Sequence, residues 1–411
     1  MKKLFTLFLA LSLLFLTACN TKPPVGTNDG TGSSNSSGTD IQSPSSSIPQ
    51  DVIIAEKNEN FINLPSRVVF HNGSKNVYYS KADGQTYIYC FDPLCDHSEG
   101  KCLAQPITLD TVGINFWGTK FVNNRFWCTA TFLGKIISFN FDGTDMKVEY
   151  DAGYQVSQIT WSGDLWNPDI MAYGSYLYLE QNDSASEDGK VHTLRFNTET
   201  REMEDLTEKT GNYIYPNFFY NGNIYGYDES FSWCKCNLDL TDMEAIDEIP
   251  VPGHYSGSRM FNVTSAGVEV YDMKTSEVTE ISNSVFGVPE GAKISIQFVD
   301  ANYIYYNHSQ KELVGYYPHP KTGNMTAKYR WNDGKLYRAN HDGTNVICIY
   351  DNSDFEFGAV DTIIFDDKII LGGQYVGVRN GIAENWGSGY YVGTIGSDGK
   401  IDELKLVEVL Q

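Results

Sequence analysis

FVDANYIYYNH, from Phe298 to His308, and GKLYRANHDGTNVICIY, from Gly334 to Tyr350, read as two hairpins separated by an inserted segment. Each is a pair of short aromatic and β-branched runs joined by small polar residues, the grammar of antiparallel strands. The Asp342-Gly343 turn is a strong hairpin signal, because a tight two-residue turn needs positive φ that Asp and Gly supply at least cost. The same grammar recurs along most of the chain. Second hairpins begin at Thr86, Ile136, Thr193, Trp233, Gly267, Lys335 and Tyr391. First hairpins precede most of them, as in VVFHNGSKNVYY, KFVNNRFWCTATF, MAYGSYLYLE, FFYNGNIYGY and IIFDDKIILGG. Asp92, Asp142, Asp239, Asp342 and Asp398 stand at comparable turns, giving a period of roughly 50 residues.

Four antiparallel strands per unit, repeated about seven times, predict an all-β chain folded as a β-propeller of four-stranded blades. The unit around Met260 to Ile281 is short enough to lack a strand, so seven blades are expected and six or eight stay open on sequence grounds. The repeats, above all the Ile-Tyr-Tyr run followed by Leu-Tyr-Arg and Asp-Gly-Thr-Asn, resemble the propeller repeats of exported bacterial lipoproteins. Those are distantly similar to the YWTD-type propellers of low-density-lipoprotein receptors. The resemblance spans most of residues 60 to 410. Ring closure is expected to place either the segment near Val52 to Glu56 or the strand near Leu404 to Val409 at the outer edge of the joining blade.

Composition agrees with an all-β reading. Aromatics make up 14% of the 411 residues, Tyr alone counts 27, and no segment keeps an apolar spacing of 3.6. The net charge of −22 disfavours nucleic acid, which needs a basic face, and disfavours lying flat on anionic lipid. Such acidity serves solubility.

The N-terminus carries its own message. Lys2 and Lys3 precede an apolar run, Leu4 to Leu16, which is shorter than the about 20 residues a membrane span needs. Leu16-Thr17-Ala18-Cys19 resembles the lipobox of bacterial lipoproteins. That resemblance implies a signal peptide over residues 1–18, cleavage before Cys19 and lipidation of Cys19, hence a membrane anchor on the extracytoplasmic face. Two or three acyl chains hold stably where one would not. Residues 20–50 are rich in Ser, Gly, Thr and Pro, with little to bury, and read as a disordered tether of roughly 30 Å reach. Residues 51–411 are then the propeller domain, expected to be a monomer.

Loop lengths select a candidate face. In up-and-down blades, first-to-second and third-to-fourth turns share one end, and the remaining connections share the other. The first group is tight here, at Asn123-Asn124, Gly174-Ser175, Gly222-Asn223 and Asp366-Asp367. The second holds the long segments Tyr150 to Ala172, Glu180 to His192, His308 to Asp333 and Gln374 to Gly389. Insertions gathered on one face of a repeat protein mark a binding face. These segments carry Trp161, Trp166, Tyr316, Tyr317, Trp331 and Trp386, rings suited to sugars or peptides, or to clamping their own loops.

Cys90, Cys95, His97 and Cys102 fall within one short stretch, read as the mouth and turn of the first unit's second hairpin. Three chemistries fit: a Cys90–Cys102 or Cys95–Cys102 disulfide, a structural zinc or iron on three thiolates and an imidazole, or free thiols. Seven cysteines remain beside Cys19, an odd number, so intrachain disulfides cannot pair all of them. Cys234 and Cys236 lie two apart on one strand face, where a bridge would be strained. Cys128 and Cys348 sit in apolar runs and read as core.

No nucleophile elbow, HExxH, Walker loop or GxGxxG after a strand is present. Ser80 to Tyr87 loosely resembles the Asp-box of sialidases, with its Asp displaced by one place and in what reads as the wrong hairpin. The reading is therefore a binding module for a glycan, a peptide or a partner protein. The alternatives are a glycan-active hydrolase and a passive envelope component. A pair of carboxylates about 5 to 9.5 Å apart on the long-loop face separates hydrolase from binder.

Overall fold

The computed structural model describes residues 51–55, 61–72, 75–90, 95, 119–130, 134–140, 144–153, 170–181, 189–247, 249 and 253–410. Cys19, Trp161, Trp166, His97 and Cys102 lie outside them, as do residues 1–50, where a signal peptide and tether are expected. The described strands form seven antiparallel sheets, the blades of a β-propeller.

A short strand, β1 (Ile54–Ala55), comes first. Blade 1 follows with β2 (Phe61–Asn63), β3 (Arg67–Asn72), β4 (Lys75–Ser80) and β5 (Thr86–Ile88). Blade 2 holds β6 (Lys120–Val122), β7 (Arg125–Ala130), β8 (Lys135–Asn140) and β9 (Lys147–Asp151). Blade 3 holds β10 (Met171–Tyr173), β11 (Tyr176–Gln181), β12 (His192–Asn197) and β13 (Met203–Asp205), followed by one helical turn, α1 (Leu206–Thr210). Blade 4 holds β14 (Tyr215–Tyr220), β15 (Asn223–Tyr227), β16 (Trp233–Asn237) and β17 (Glu244–Ala245). Blade 5 holds β18 (His254–Ser256), β19 (Arg259–Val263), β20 (Gly267–Asp272) and β21 (Glu277–Ser282). Blade 6 holds β22 (Lys293–Val299), β23 (Tyr303–Pro318), β24 (Met325–Asn332), β25 (Lys335–Asn340) and β26 (Ile347–Asp351). Blade 7 holds β27 (Phe355–Phe365), β28 (Lys368–Arg379), β29 (Ile382–Ile395) and β30 (Ile401–Leu406), and β31 (Val409–Leu410) ends the described chain.

The tight turns behave as their sequences dictate. Asn123 and Asn124 both have positive φ, as do Asn221 and Gly222, the geometry whose twist matches that of the flanking strands. Alternating residues on the two faces of each blade pack against both neighbours. Phe261, Val268 and Ile281 of blade 5 meet Ile294, Ile304 and Tyr306 of blade 6, all buried. The ring closes by the same packing, Val68, Phe70 and Val77 of blade 1 against Ile363, Phe365 and Ile370 of blade 7. Burying such surfaces contributes roughly 25 cal/mol per Å² and is the main source of stability. Outer strands such as β21 are largely exposed, so first strands face the ring axis.

Both chain ends are pinned. Val409 and Leu410 pair in parallel with Thr86 and Tyr87, covering the outer edge of blade 1. Ile54 and Ala55 pair with Phe219 and Phe218 at the inner edge of blade 4. Of the two segments expected at an outer edge, only the C-terminal one is there. Ile53 and Ala55 are apolar and find burial among Phe218, Tyr220 and Met260, which draws that segment to the axis.

Three expectations are corrected. The unit around Met260 to Ile281 is a full four-stranded blade, β18 to β21. The first unit is shifted by one strand, because Phe61–Asn63 supplies a first strand too short to stand out in sequence. Thr86–Ile88 is therefore the fourth strand, not the third, and β31 occupies the edge outside it. Cys90 and Cys95 accordingly sit in the link toward blade 2. The same shift puts Ser80 to Tyr87 in the third-to-fourth hairpin, where Asp83 accepts bonds from the Gln85 N–H and the Tyr87 hydroxyl. Finally, His308 to Asp333 and Gln374 to Gly389 are not loops. They are long two-stranded hairpins, β23–β24 and the outer half of β28–β29.

Candidate functional site

The two hairpins rise side by side from the long-loop face, and their close approach depends on Gly315. A Cβ there would stand 3.0 Å from Ala383 Cβ and 3.4 Å from Val378 Cγ2. The blade 7 hairpin turns at Asn380-Gly381, both with positive φ. The blade 6 hairpin turns at residues 319–324, where the Gly323 N–H donates to the His319 carbonyl.

At the base of the hairpins, between blades 6 and 7 and against the Asn72 turn of blade 1, lies a cavity of about 700 Å³. Its lining is polar and rich in amides: Asn72, Gln297, Asn307, Asn332 and Gln374, with Ser295, Ser309 and Ser388. Phe357, Tyr390, the Trp331 segment and four glycines complete it. Glu356 is the one carboxylate among these residues.

Glu356 is 7% exposed, and both its oxygens are engaged. Oε1 accepts the Trp331 N–H at 2.8 Å, and Oε2 accepts Gln374 Nε2 at 2.8 Å. Gln374 Oε1 in turn accepts Asn385 Nδ2 at 2.6 Å. A buried carboxylate persists only with such partners, and this one ties the two hairpins together. Asn332 acts similarly, donating from Nδ2 to the Phe357 carbonyl at 3.0 Å and accepting from the Gly334 N–H.

Asn307 differs. It is only 2% exposed and lines the cavity, with no bond from its amide to the committed groups around it. The pleat separates it from its neighbour His308, which points to the opposite side, toward blade 5. There His308 Nδ1 lies 3.1 Å from Asp333 Oδ2, and its ring stacks on Tyr337 at 4.3 Å. Burial pushes the Asp333 carboxyl up, but His308 beside it holds it below the ordinary value overall. This second polar group braces the base of the hairpin.

The aromatic candidates separate under this geometry. Trp386 stacks on Tyr375 across its own hairpin, centroids 6.0 Å apart, and is half-buried. Trp331 lends its backbone to the cavity wall, but its ring lies on the outward face of β24 and is 58% exposed. Lys311 Nζ sits over Tyr329 at 3.9 Å and over Trp331 at 5.3 Å on that same outward face. Tyr316 is exposed and Tyr317 half-buried farther up the hairpin, away from the cavity lining. Trp161 and Trp166 fall outside the described residues.

Among the described residues no group of three or more His, Cys, Asp or Glu is arranged to hold a metal. With His97 and Cys102 outside them, the choice between disulfide, metal and free thiols at Cys90, Cys95, His97 and Cys102 is untouched. Cys128, Cys234 and Cys236 are buried, and burial raises their thiols to about 12, 11 and 12. Thiols held protonated in this way are inert. Cys348 is half-buried rather than core.

Asn307, Asn332, Glu356 and Gln374 were not singled out from sequence. The available signal was the polar residue closing an aromatic strand run, as in Ile304-Tyr-Tyr-Asn307, and the Asn380-Gly381 turn inside a supposed loop.

No family model matches the chain, and no curated protein matches it. Among solved structures it is similar to the β-propeller domain of the Trilobed protease from Pyrococcus furiosus, at 9% identity, TM-score 0.42, covering 87% of this chain and 98% of that one. It is similar to YCF48 bound to D1 peptide, at 11% identity, TM-score 0.42, covering 80% and 97%. It is also similar to a chain of the nidogen/laminin complex, at 12% identity, TM-score 0.31, covering 56% and 78%. These likenesses concern the propeller fold alone.

Proposed function

We propose that this chain is a lipid-anchored, extracytoplasmic propeller that binds a glycan in the cavity between blades 6 and 7. The observation that carries the reading is Asn307. Its amide belongs to the cavity wall, where it can exchange hydrogen bonds with the hydroxyls of a ligand. Around it stand further amides and hydroxyls and no uncommitted charge, a lining suited to sugar hydroxyls. A hydrolase of the two-carboxylate kind is less well supported, because Glu356 has both oxygens occupied and no second carboxylate lines the cavity among the described residues.

The pinned N-terminus suits a tethered module. The Asp51 N–H donates to Asn221 Oδ1 at 2.7 Å, and the Asp51 carboxylate meets Lys274 Nζ at 3.2 Å. Asn221 and Lys274 belong to tight turns on the face opposite the cavity.

A glycan array probed with the wild type and with Asn307→Leu tests the binding reading. We expect capture by the wild type and at least tenfold weaker capture by the variant, which is no less stable. Capture of peptides instead of glycans, or release of reducing ends from a bound glycan, overturns it. The anchor is tested separately: Cys19→Ser is expected to leave the membrane fraction, and retention there counts against lipidation.

A further inference from the structure

One wall of the cavity continues upward as a row of side chains. In β24 the even-numbered positions are the more buried, and they include Asn332, Arg330 and Lys328. Successive members of one strand face are about 6.6 Å apart. Asn332 lies in the cavity, Arg330 above it and Lys328 above that. Arg330 is 6% exposed, and its Nε has no partner among the described residues. Its Nη2 bonds Glu312. Lys328 is half-buried and has no carboxylate within ion-pair distance among the described residues.

The chain carries a net charge of −22, and lysines elsewhere, such as Lys135, Lys235 and Lys335, are paired with carboxylates. The blade 6 hairpin reverses the balance, with Lys311, Lys321, Lys328 and Arg330 against the single carboxylate Glu312. Lys328, half-buried without a counter-ion, and the Nε of Arg330, whose Nη2 alone is taken by Glu312, stand beside a cavity lined with amides and can be completed by an anion.

We propose that the ligand is an acidic glycan, whose neutral sugar ring fills the cavity at Asn307 while its anionic group meets Lys328 and Arg330. The inference rests on the glycan reading and adds the charge class. A carboxylate and a phosphate both fit Arg330 and Lys328 by the same chemistry.

The test begins with an array of neutral, uronate-bearing and phosphate-bearing oligosaccharides and the full folded domain. It continues by calorimetry with hexagalacturonate, its methyl ester and a phosphorylated mannan oligosaccharide. We expect an acidic probe to bind at least tenfold tighter than a neutral one, and to weaken as salt rises. Lys328→Ala is expected to remove that preference, Lys328→Arg to keep most of it, and Lys405→Ala, an equal charge change on blade 7's outer strand, to keep all of it. Which acidic probe wins separates carboxylate from phosphate. Neutral glycans binding as tightly as acidic ones, with Lys328→Ala unchanged, overturn the acidic class and leave the cavity reading standing. No glycan bound at all overturns both.

Discussion

Blades 5 and 6 share a frame and differ in one connection. In blade 5 the second and third strands are joined by three residues, Thr264 to Ala266, closed by the Thr264 side chain. In blade 6 the same connection is the hairpin that carries Ser309, Asn332 and the cationic row. The frame strands pack against each other through one shared cluster, with Phe261 from blade 5 and Tyr306 from blade 6 both fully buried. What distinguishes the blades is thus the excursion beyond the packed layer. Inside that layer, positions answer to volume. Beyond it, they are free to carry polar groups and, at Lys328, a charge without a counter-ion.

The sharpest way to test that division is to damage the shared layer. Phe261→Ala should destabilise the domain by about 3–5 kcal/mol, read by denaturant unfolding, because the cavity it leaves is walled by both blades. A small loss there would mean the two blades do not depend on one core.

Next in size is Trp386→Ala on the blade 7 hairpin. Losing the half-buried ring and its stack on Tyr375 should cost about 2 kcal/mol and lower the melting temperature. An unchanged melting temperature would return Trp386 to the ligand candidates.

A smaller effect separates the blades by pH. His341 of blade 6 lies against Phe261 of blade 5, centroids 4.8 Å apart. Burial, first among the causes, holds its pKa below the ordinary 6.5, despite Asp300 and Asp342 nearby, which raise it, and with Arg259, which lowers it. The unfolded chain therefore takes up this proton first. The stability linked to His341 is whole above pH 6.5 and is lost as pH falls through that value toward the lower folded pKa. Melting temperatures taken from pH 7.5 to 5.5 should decline, and decline less in His341→Gln. Equal slopes would remove His341 as the cause.

The smallest effect is expected at Trp331→Ala. A ring on the exposed face of β24 should change stability by no more than about 0.5 kcal/mol. A larger loss would mean that Lys311, Tyr329 and Trp331 clamp the hairpin together.

Much of the fold was readable as sequence. Alternation in runs such as Tyr303 to Tyr306, and Asn or Gly at turns needing positive φ, are local properties, and local properties survive in any context. They specified an all-β chain of repeated hairpins and tight turns on one face. The shift in blade 1 was not readable, because Phe61–Asn63 gains its strand character only from pairing with Val68 to Phe70. The two long hairpins were hidden for a related reason: Gly315 and Asn380-Gly381 look like loop residues until the hairpins stand against each other. About seven blades and a closing C-terminal strand were expected; which of the two candidate segments closes the ring, and the cavity itself, belong to the tertiary structure. Asn307 shows why. Its residue type and its place in a strand are written in the chain, but that it shares a cavity wall with Glu356, Gln374 and Asn332 is not. Those residues are distant in sequence and meet only when blades 6 and 7 close on each other.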